Sequence, residues 1–474
     1  MSGPEASLLK RLESLEQHLE KENPVLLDAV GDFRRLDEIG YATGLLDSDD
    51  SYSLQIPWWP LISILGTFSA GKSSFINTYL GDKLQKTGNQ AVDDKFTVIC
   101  YGEESEGKVL PGLALDADLR FPFYKMSDEI DKVAEGEGKR IDAYLQLKVT
   151  NSPAVNGKII IDSPGFDADQ QRTSTLRITD HILDLSDLVL VFFDARHPEP
   201  GAMQDTLQHL VQGTISRADS NKFLYILNQI DTAAREDNPE EVIAAWQRAL
   251  SQYGLTAGRF YTIYNEATAL PFPDDETGKR FKAKRDRDLE DIMQRIAQVE
   301  IERAYRVVGA LEKEARAIEN TDIPAVSELM RTWARRVLIG DAVVFGGLLL
   351  MVLLVAIFTG SLGGLFIAVA AAFSEPTLAL VSLLVIGGAV LGVHFTLRHK
   401  VAERMLRKLK ATGQTLYYRA FEKNTRFYRS LFRKKPTGWN EAARRRIHEV
   451  AEQASGYVQK LNDQFTNPSG QSKV

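Results

Sequence analysis

Residues 342–374 form a run of 33 positions without Asp, Glu, Lys or Arg, and after Glu375 a second such run of 22 extends from Pro376 to Leu397. A helix needs about 20 apolar residues to cross a bilayer, so the total accommodates two spans. Gly360–Gly364 and Ser374–Glu375–Pro376 offer places for the connection between them. The alternative is a buried hydrophobic hairpin, but core helices of water-soluble proteins seldom continue so far without a charge. Arg331, Arg335 and Arg336 precede the first run, Arg398, Lys400 and Arg404 follow the second, and the connection holds no Lys or Arg. Positive charge on both outer flanks predicts an even number of crossings with both termini cytoplasmic.

A chain of 474 residues has room for two or three cores. Its formal net charge of −7 conceals an asymmetry. Between Arg398 and Lys435 there are thirteen Lys or Arg against two Glu, interleaved with Tyr417, Tyr418, Phe421, Phe427, Tyr428 and Phe432. Basic residues alternating with aromatics can bind single-stranded nucleic acid, and they can equally form a solvated helix face. Directly after an apolar run, contact with the anionic headgroups of a lipid bilayer is the expected role, and no nucleic acid is expected. Cys100 is the sole cysteine, which excludes a disulfide within the chain. No His or Cys cluster suggests a transition-metal site. Near the N-terminus Leu8, Leu12, Leu15 and Leu19 recur at helical spacing among charges, an amphipathic helix suited to packing on other helices rather than a targeting peptide. An integral, two-pass location in a bacterial inner membrane is expected.

From Leu61 to about Tyr264 short β-rich runs alternate with helical stretches. The strands expected are Leu61–Leu65, Phe96–Tyr101, Leu145–Val149, Lys158–Ile161, Leu188–Phe193 and Phe223–Leu227. Near-continuous apolar strands of this kind are covered on both faces, as in a mostly parallel α/β sheet. After Pro271 and Pro273 the pattern is helical, with a stripe of Leu289, Ile292, Met293, Ile296, Val299, Val307, Val308 and Leu311. Another stripe runs through Ile447, Val450, Ala454, Val458 and Leu461. Neither stripe is stable alone, so the outer helices are expected to form one bundle.

Gly66-Thr67-Phe68-Ser69-Ala70-Gly71-Lys72-Ser73 matches the phosphate-binding pattern G-x-x-x-x-G-K-[ST], between an apolar strand and a helical run. The backbone of Gly66, Ser69, Ala70 and Gly71, with Ser73 and Ser74 opening the helix, would surround the phosphates. Lys72 would bridge the β- and γ-phosphates, and the Ser73 hydroxyl would hold Mg²⁺. Asp162-Ser163-Pro164-Gly165 follows the strand ending at Ile161. There Asp162 would serve the metal and Gly165 would donate its N–H to the γ-phosphate. Asn228-Gln229-Ile230-Asp231 follows another strand, in the place of a base-recognition motif. Asp231 would accept from the base and Asn228 would tie this loop to the P-loop.

With Ser69 and the doubled Ser73-Ser74, the motif resembles the P-loop of the dynamin superfamily, a bacterial dynamin-like protein most similar to the EHD branch of membrane-remodelling NTPases. Leu110-Pro111-Gly112-Leu113-Ala114-Leu115, the Asp162 motif, Phe193-Asp194-Ala195 with His197, and Asn228–Asp231 extend the resemblance over about residues 55 to 330. It implies an α/β P-loop G domain with helices on both faces of its sheet, an α-helical stalk bundle and, here, a two-helix transmembrane hairpin. The expected boundaries are 1–54 for N-terminal stalk helices, 55–275 for the G domain, 276–336 for stalk, 337–397 for the hairpin, 398–466 for basic and C-terminal stalk helices, and 467–474 for a disordered tail.

Three departures stand out. No EF-hand-like loop follows residue 400, so the family's peptide-binding module is missing. The switch segment that carries a Mg²⁺-capping Thr in the family corresponds to Ala91-Val92-Asp93-Asp94, which leaves Asp93 or Thr87 as replacements and Thr97 too far along an extended chain. Gln229 stands where the base motif has Lys, which leaves GTP and ATP both open. The resemblance implies a self-associating, Mg²⁺-dependent GTPase or ATPase that remodels membranes, catalysing through Ser69, Lys72, Asp162 and Gly165. Two readings compete with it: a nucleotide-dependent membrane scaffold with little hydrolysis, and a channel, which two spans support poorly.

Overall fold

The computed structural model describes residues 4–465 except 68, 88–94, 104–107, 119–120, 122, 124–125, 132–135, 166–172, 197–221, 234–238, 253–254, 256–258, 273 and 373–375. Asp93, the rest of Ala91–Asp94, His197, Pro273, Glu375 and the 467–474 tail therefore lie outside the described residues. Two units emerge. One comprises residues 18–23 and 54–307, the other residues 1–17, 24–53 and 308–474.

The first unit is built on one sheet of β1 (Leu61–Gly66), β2 (Phe96–Tyr101), β3 (Val109–Pro111), β4 (Leu145–Thr150), β5 (Ile159–Asp162), β6 (Leu188–Asp194), β7 (Phe223–Asn228) and β8 (Arg259–Thr262), in the spatial order β3-β4-β2-β5-β1-β6-β7-β8. Pairing is parallel except at β2/β5 and β3/β4. The expectation of a mostly parallel sheet is thus sharpened to a mixed one, with two antiparallel junctions near one edge. β3 and β8 were not expected from sequence. They are edge strands of three and four residues, too short to show a period, and Val109 and Leu110 are exposed.

Among the described residues the α-helices are α1 (Ala6–Glu22), α2 (Pro24–Thr43), α3 (Lys72–Leu80), α4 (Leu113–Asp116), α5 (Met126–Asp131), α6 (Thr173–Leu185), α7 (Ile230–Ala233), α8 (Pro239–Gln252), α9 (Asp275–Ala317), α10 (Ile323–Phe358), α11 (Leu362–Ala372), α12 (Pro376–Ala411), α13 (Thr415–Asn424) and α14 (Glu441–Phe465). Strand β6 shows why its neighbours are apolar throughout. Leu188, Leu190 and Phe192 meet α3 and α9 on one face. Val189, Val191 and Phe193 meet α6 and α8 on the other, where Trp246 is fully buried.

The 43-residue helix α9 carries the stripe that sequence analysis placed in the stalk. Ile292, Ile296 and Val299 are buried against the sheet instead. Asp187 fastens the helix there, accepting from Arg303 Nη2 and Arg306 Nη1 at 2.5 Å each and from the Leu61 amide at 2.9 Å. Burial lowers the pKa of Arg303, opposed by Asp187. One stripe therefore serves two cores, since α9 continues past Val307 into the second unit.

In the second unit α2 pairs with α14. Tyr457 donates to Asp32 at 2.8 Å, and Arg35–Glu449, Arg446–Glu38 and Lys460–Asp28 are ion pairs. A π-helical turn, Ile318–Asp322, joins α9 to α10, just before Pro324, which has no amide to donate. Asp37 is buried, accepting from Ser51 Oγ at 2.5 Å and the Tyr52 amide at 2.7 Å. Burial raises its pKa to about 7.

Beyond Val337, α10 and α12 carry the charge-free runs, and both are long and apolar enough to cross a membrane by length and composition. Their large side chains are exposed: Leu349 is 67% accessible, Leu384 65% and Phe358 87%. Helix boundaries fall at both expected sites, at Gly360 and before Pro376. Gly360, at φ 69°, ends the first helix, and the 11-residue α11, too short to span, precedes α12. Asp341 and His394, one on each helix, are 2.7 Å apart.

At the base of these helices Trp333, Val337, Ala402, Met405, Leu409, Phe421 and Leu431 form a small core. Arg398, the first cation after the second run, lies over Trp333 and donates to the carbonyls of Arg426 and Arg429.

Candidate nucleotide-binding site

The P-loop leaves the C-terminal end of β1 and enters α3, and the local geometry requires its glycines. A Cβ on Gly66 would fall 2.6 Å from the Phe192 carbonyl oxygen, so no side chain fits where β1 passes β6. Gly71 sits at φ 84°, and a Cβ there would lie 2.2 Å from Asn228 Nδ2. Close approach and a left-handed backbone are the two reasons a glycine is needed.

Lys72 does not face solvent. It is 8% accessible, and Nζ donates to the carbonyls of Gly66 at 3.0 Å and Thr67 at 3.1 Å. Burial lowers its pKa, opposed by the field of Asp162. The loop's own carbonyls thus hold the ammonium in place, where an arriving phosphate would exchange with them.

Asp162 ends β5 opposite Ile64 of β1, and the Ser163 amide donates to the Ile64 carbonyl at 3.0 Å. This holds the first residues of the Asp162–Gly165 motif against the P-loop strand. Gly165 is the last described residue before 166–172. Ser73, half-buried, opens α3. A serine hydroxyl and a carboxylate are hard oxygen donors suited to Mg²⁺, which usually takes its other ligands from phosphates and water. Among the described residues no group of three or more His, Cys, Asp or Glu could hold a metal by itself. The donor set fits a Mg²⁺ that arrives with a triphosphate.

The third motif is tied to the first by two amides. Asn228 Nδ2 donates to the Ala70 carbonyl at 2.9 Å, and Gln229 Nε2 to the Ser69 carbonyl at 2.6 Å. Ser69 (φ 59°) and Gln229 (φ 63°) are the described non-glycine residues with positive φ, and they face each other across this contact. Such strain is usually kept where surrounding structure over-determines the backbone. Gln229 therefore contributes a P-loop tie at the position where the resemblance expects Lys. Asp231 is buried in α7, and its Oδ2 accepts from the Leu270 amide at 3.0 Å. The loop after β8 contributes further: Asn265 donates to Ser74 Oγ at 3.0 Å.

The structure thus brings together Gly66, Ser69, Ala70, Gly71, Lys72, Ser73, Ser74, Asp162, Asn228 and Asp231 at the C-terminal edges of β1, β5 and β7, the usual ligand crevice of such sheets. Of the expected switch substitutes, Thr87 is exposed. Thr97 is not remote. Antiparallel pairing sets it opposite Asp162, fully buried, with its hydroxyl accepting from Gln146 Nε2 at 2.7 Å. Chain distance alone hid this, because the turn of register between β2 and β5 is invisible in sequence. Gln85, Lys148 and Asn265 were also missed. Each is a common polar residue in no motif.

Residues 62–230 match the model of the Dynamin family, a family whose G domains are GTPases in general. No curated protein matches the chain. Among solved structures, two chains of an oligomerised bacterial dynamin pair, described as a mechanism for long-range sensing and tethering of membranes, are similar in part. One is 13% identical, with 97% of this chain and 67% of that chain covered and a TM-score of 0.36. The other is 16% identical, with 97% and 76% covered and a TM-score of 0.31. Both TM-scores fall below the level that marks a shared fold.

Proposed function

We propose that this chain is a dynamin-like, membrane-anchored nucleoside triphosphatase that self-associates on membranes and remodels them. The observation that carries the reading is the double tie of Asn228 and Gln229 to the P-loop carbonyls of Ala70 and Ser69, which couples base recognition to phosphate binding in one rigid site.

Backbone amides at the start of α3 and the Lys72 ammonium would bind the β- and γ-phosphates. Mg²⁺, when bound through Ser73 and Asp162, would neutralise charge developing on the phosphate oxygens. Ser69 and the Gly165 amide would orient the γ-phosphate for attack by water, so that catalysis rests on positioning and electrostatics. The base proposed is guanine. Asp231 carries a carboxylate, which only accepts hydrogen bonds, and guanine offers two adjacent N–H donors where adenine offers one beside an acceptor. The match of residues 62–230 to the Dynamin family supports the same choice.

The exposed apolar faces of α10 and α12 support a bilayer anchor. The loop that Arg398 pins at their base presents Phe427 and Phe432, 77% and 74% accessible, beside Arg429, Arg433, Lys434 and Lys435. Aromatic tips among cations suit an anionic headgroup layer.

Calorimetry of the detergent-solubilised chain with GTP and ATP tests the site. Mg²⁺-dependent GTP binding with weaker ATP binding is expected, and binding of neither would sink the reading. Hydrolysis per molecule should then rise with protein concentration and with liposomes, because a membrane concentrates the protein. A scaffold would bind GTP and show no such rise.

A further inference from the structure

We infer that Gln85 and Lys148 form a positioning pair that sets the direction of the Asp162 carboxylate at the Mg²⁺ site, an inference that rests on the nucleotide-site reading above. Gln85 follows α3 and is 3% accessible; Lys148, in β4, is 6% accessible. Lys148 Nζ donates to Gln85 Oε1, and Gln85 Nε2 donates to Asp162 Oδ2 at 2.6 Å.

The chemistry of the three groups dictates this order. An ammonium only donates, so the amide oxygen must face Lys148. The amide nitrogen is then left to face Asp162, which as a carboxylate only accepts. The Gln85 amide offers an acceptor to one neighbour and a donor to the other, and its orientation is fixed without reference to any ligand.

The relay is also fixed from the backbone side. The Gln85 amide donates to Asn77 Oδ1 and its carbonyl accepts from Asn77 Nδ2, both at 2.8 Å. Asn77 belongs to α3, the helix that Ser73 opens. The two expected metal-organising residues, Ser73 and Asp162, are therefore tied to one another through Asn77 and Gln85. A buried lysine is costly unless it is paired. Here Lys148 is paired with the Gln85 amide oxygen, and the nitrogen of the same amide carries the contact on to Asp162. Groups behind a metal ligand commonly shift metal affinity 10- to 100-fold, and Gln85 stands in that relation to Asp162.

The test uses the full chain in detergent and titrates Mg²⁺ against bound GTP. The readouts are the Mg²⁺ midpoint for GTP retention and the GTP affinity in EDTA. Gln85→Met should raise the midpoint about tenfold or more and leave affinity in EDTA unchanged. Lys148→Met should raise it less, and the double variant should match Gln85→Met alone, because Lys148 acts through Gln85. Lys148→Arg should restore the wild-type midpoint. Should the methionine variants fail to fold, Gln85→Asn keeps an amide but withdraws it from Asp162, and the same rise is expected. A Gln85 variant with the wild-type midpoint, or additive effects in the double variant, overturns the inference alone. A wild-type protein whose GTP binding ignores Mg²⁺ overturns the nucleotide-site reading, and this inference with it.

Discussion

The sheet unit and the helical unit depart from the usual division of inside and outside in opposite directions. Around the P-loop, polar and charged side chains are buried: Lys72, Gln85, Lys148, Asp162, Asn228 and Asp231 are each less than one-tenth accessible. On the charge-free parts of α10 and α12, large apolar side chains face outward. Burying a polar group costs free energy unless a partner replaces water, and the sheet unit meets that cost with ammonium–carbonyl and amide–carboxylate contacts. Exposing a contiguous apolar surface is costly in water and favourable in hydrocarbon. Under the proposed function the two departures answer to two ligands: a phosphate chain that would exchange into the polar site, and a lipid phase that would cover the helices.

The comparison can be broken most sharply at Lys72. Replacing it with Ala should weaken GTP binding more than a hundredfold by calorimetry, since the loss is of a buried charge-assisted contact. The far-ultraviolet circular dichroism should stay unchanged. Binding at wild-type strength would show that the buried polar cluster is structural only.

Leu384→Lys tests the other side. If α12 lies in lipid, a mid-span lysine costs about 2.5–3.5 kcal/mol and should reduce the fraction retained in alkaline-washed membranes. If the helix is solvated, the same change is neutral or improves solubility, and retention does not move.

A smaller effect is expected at the motif tie. Asn228→Ala leaves the Ala70 carbonyl without its side-chain donor and should weaken GTP binding about tenfold, or about 1.4 kcal/mol, with Mg²⁺ dependence intact. An unchanged affinity would separate the base motif from the P-loop.

The smallest concerns the helical unit. Asp37 has a folded pKa of about 7, raised by burial above its ordinary 3.8. The folded state therefore holds a proton that the unfolded segment has lost. The stability it contributes is full below about pH 4, falls as pH rises towards 7, and is lost above that. Opening of residues 24–53, measured by hydrogen exchange with the intrinsic rate divided out, should increase by at most tenfold per pH unit between pH 5 and 7. Asp37→Asn should flatten that dependence. An equal slope in both proteins would place the proton elsewhere.

Sequence by itself determined the parts of this protein whose physics is local. A P-loop needs its glycines, lysine and serine in one short segment between a strand and a helix, so Gly66–Ser73 could be read directly. Strands β1, β6 and β7 were legible because burial on both faces demands unbroken apolar runs. The long charge-free segments were legible for a similar reason, since length and absence of charge suffice to mark them. Tertiary structure alone decided what depends on register and on distant partners. The antiparallel pairing of β2 with β5 set Thr97 beside Asp162. The stripe on α9 looked uniform in sequence, yet its first half is claimed by the sheet because Asp187 holds Arg303 and Arg306 there. Lys72 lies folded onto its own loop, and the Lys148–Gln85–Asp162 relay joins residues 63 and 77 positions apart. Hydrogen-bond partners are chosen by proximity in space, and no spacing in one chain encodes that proximity.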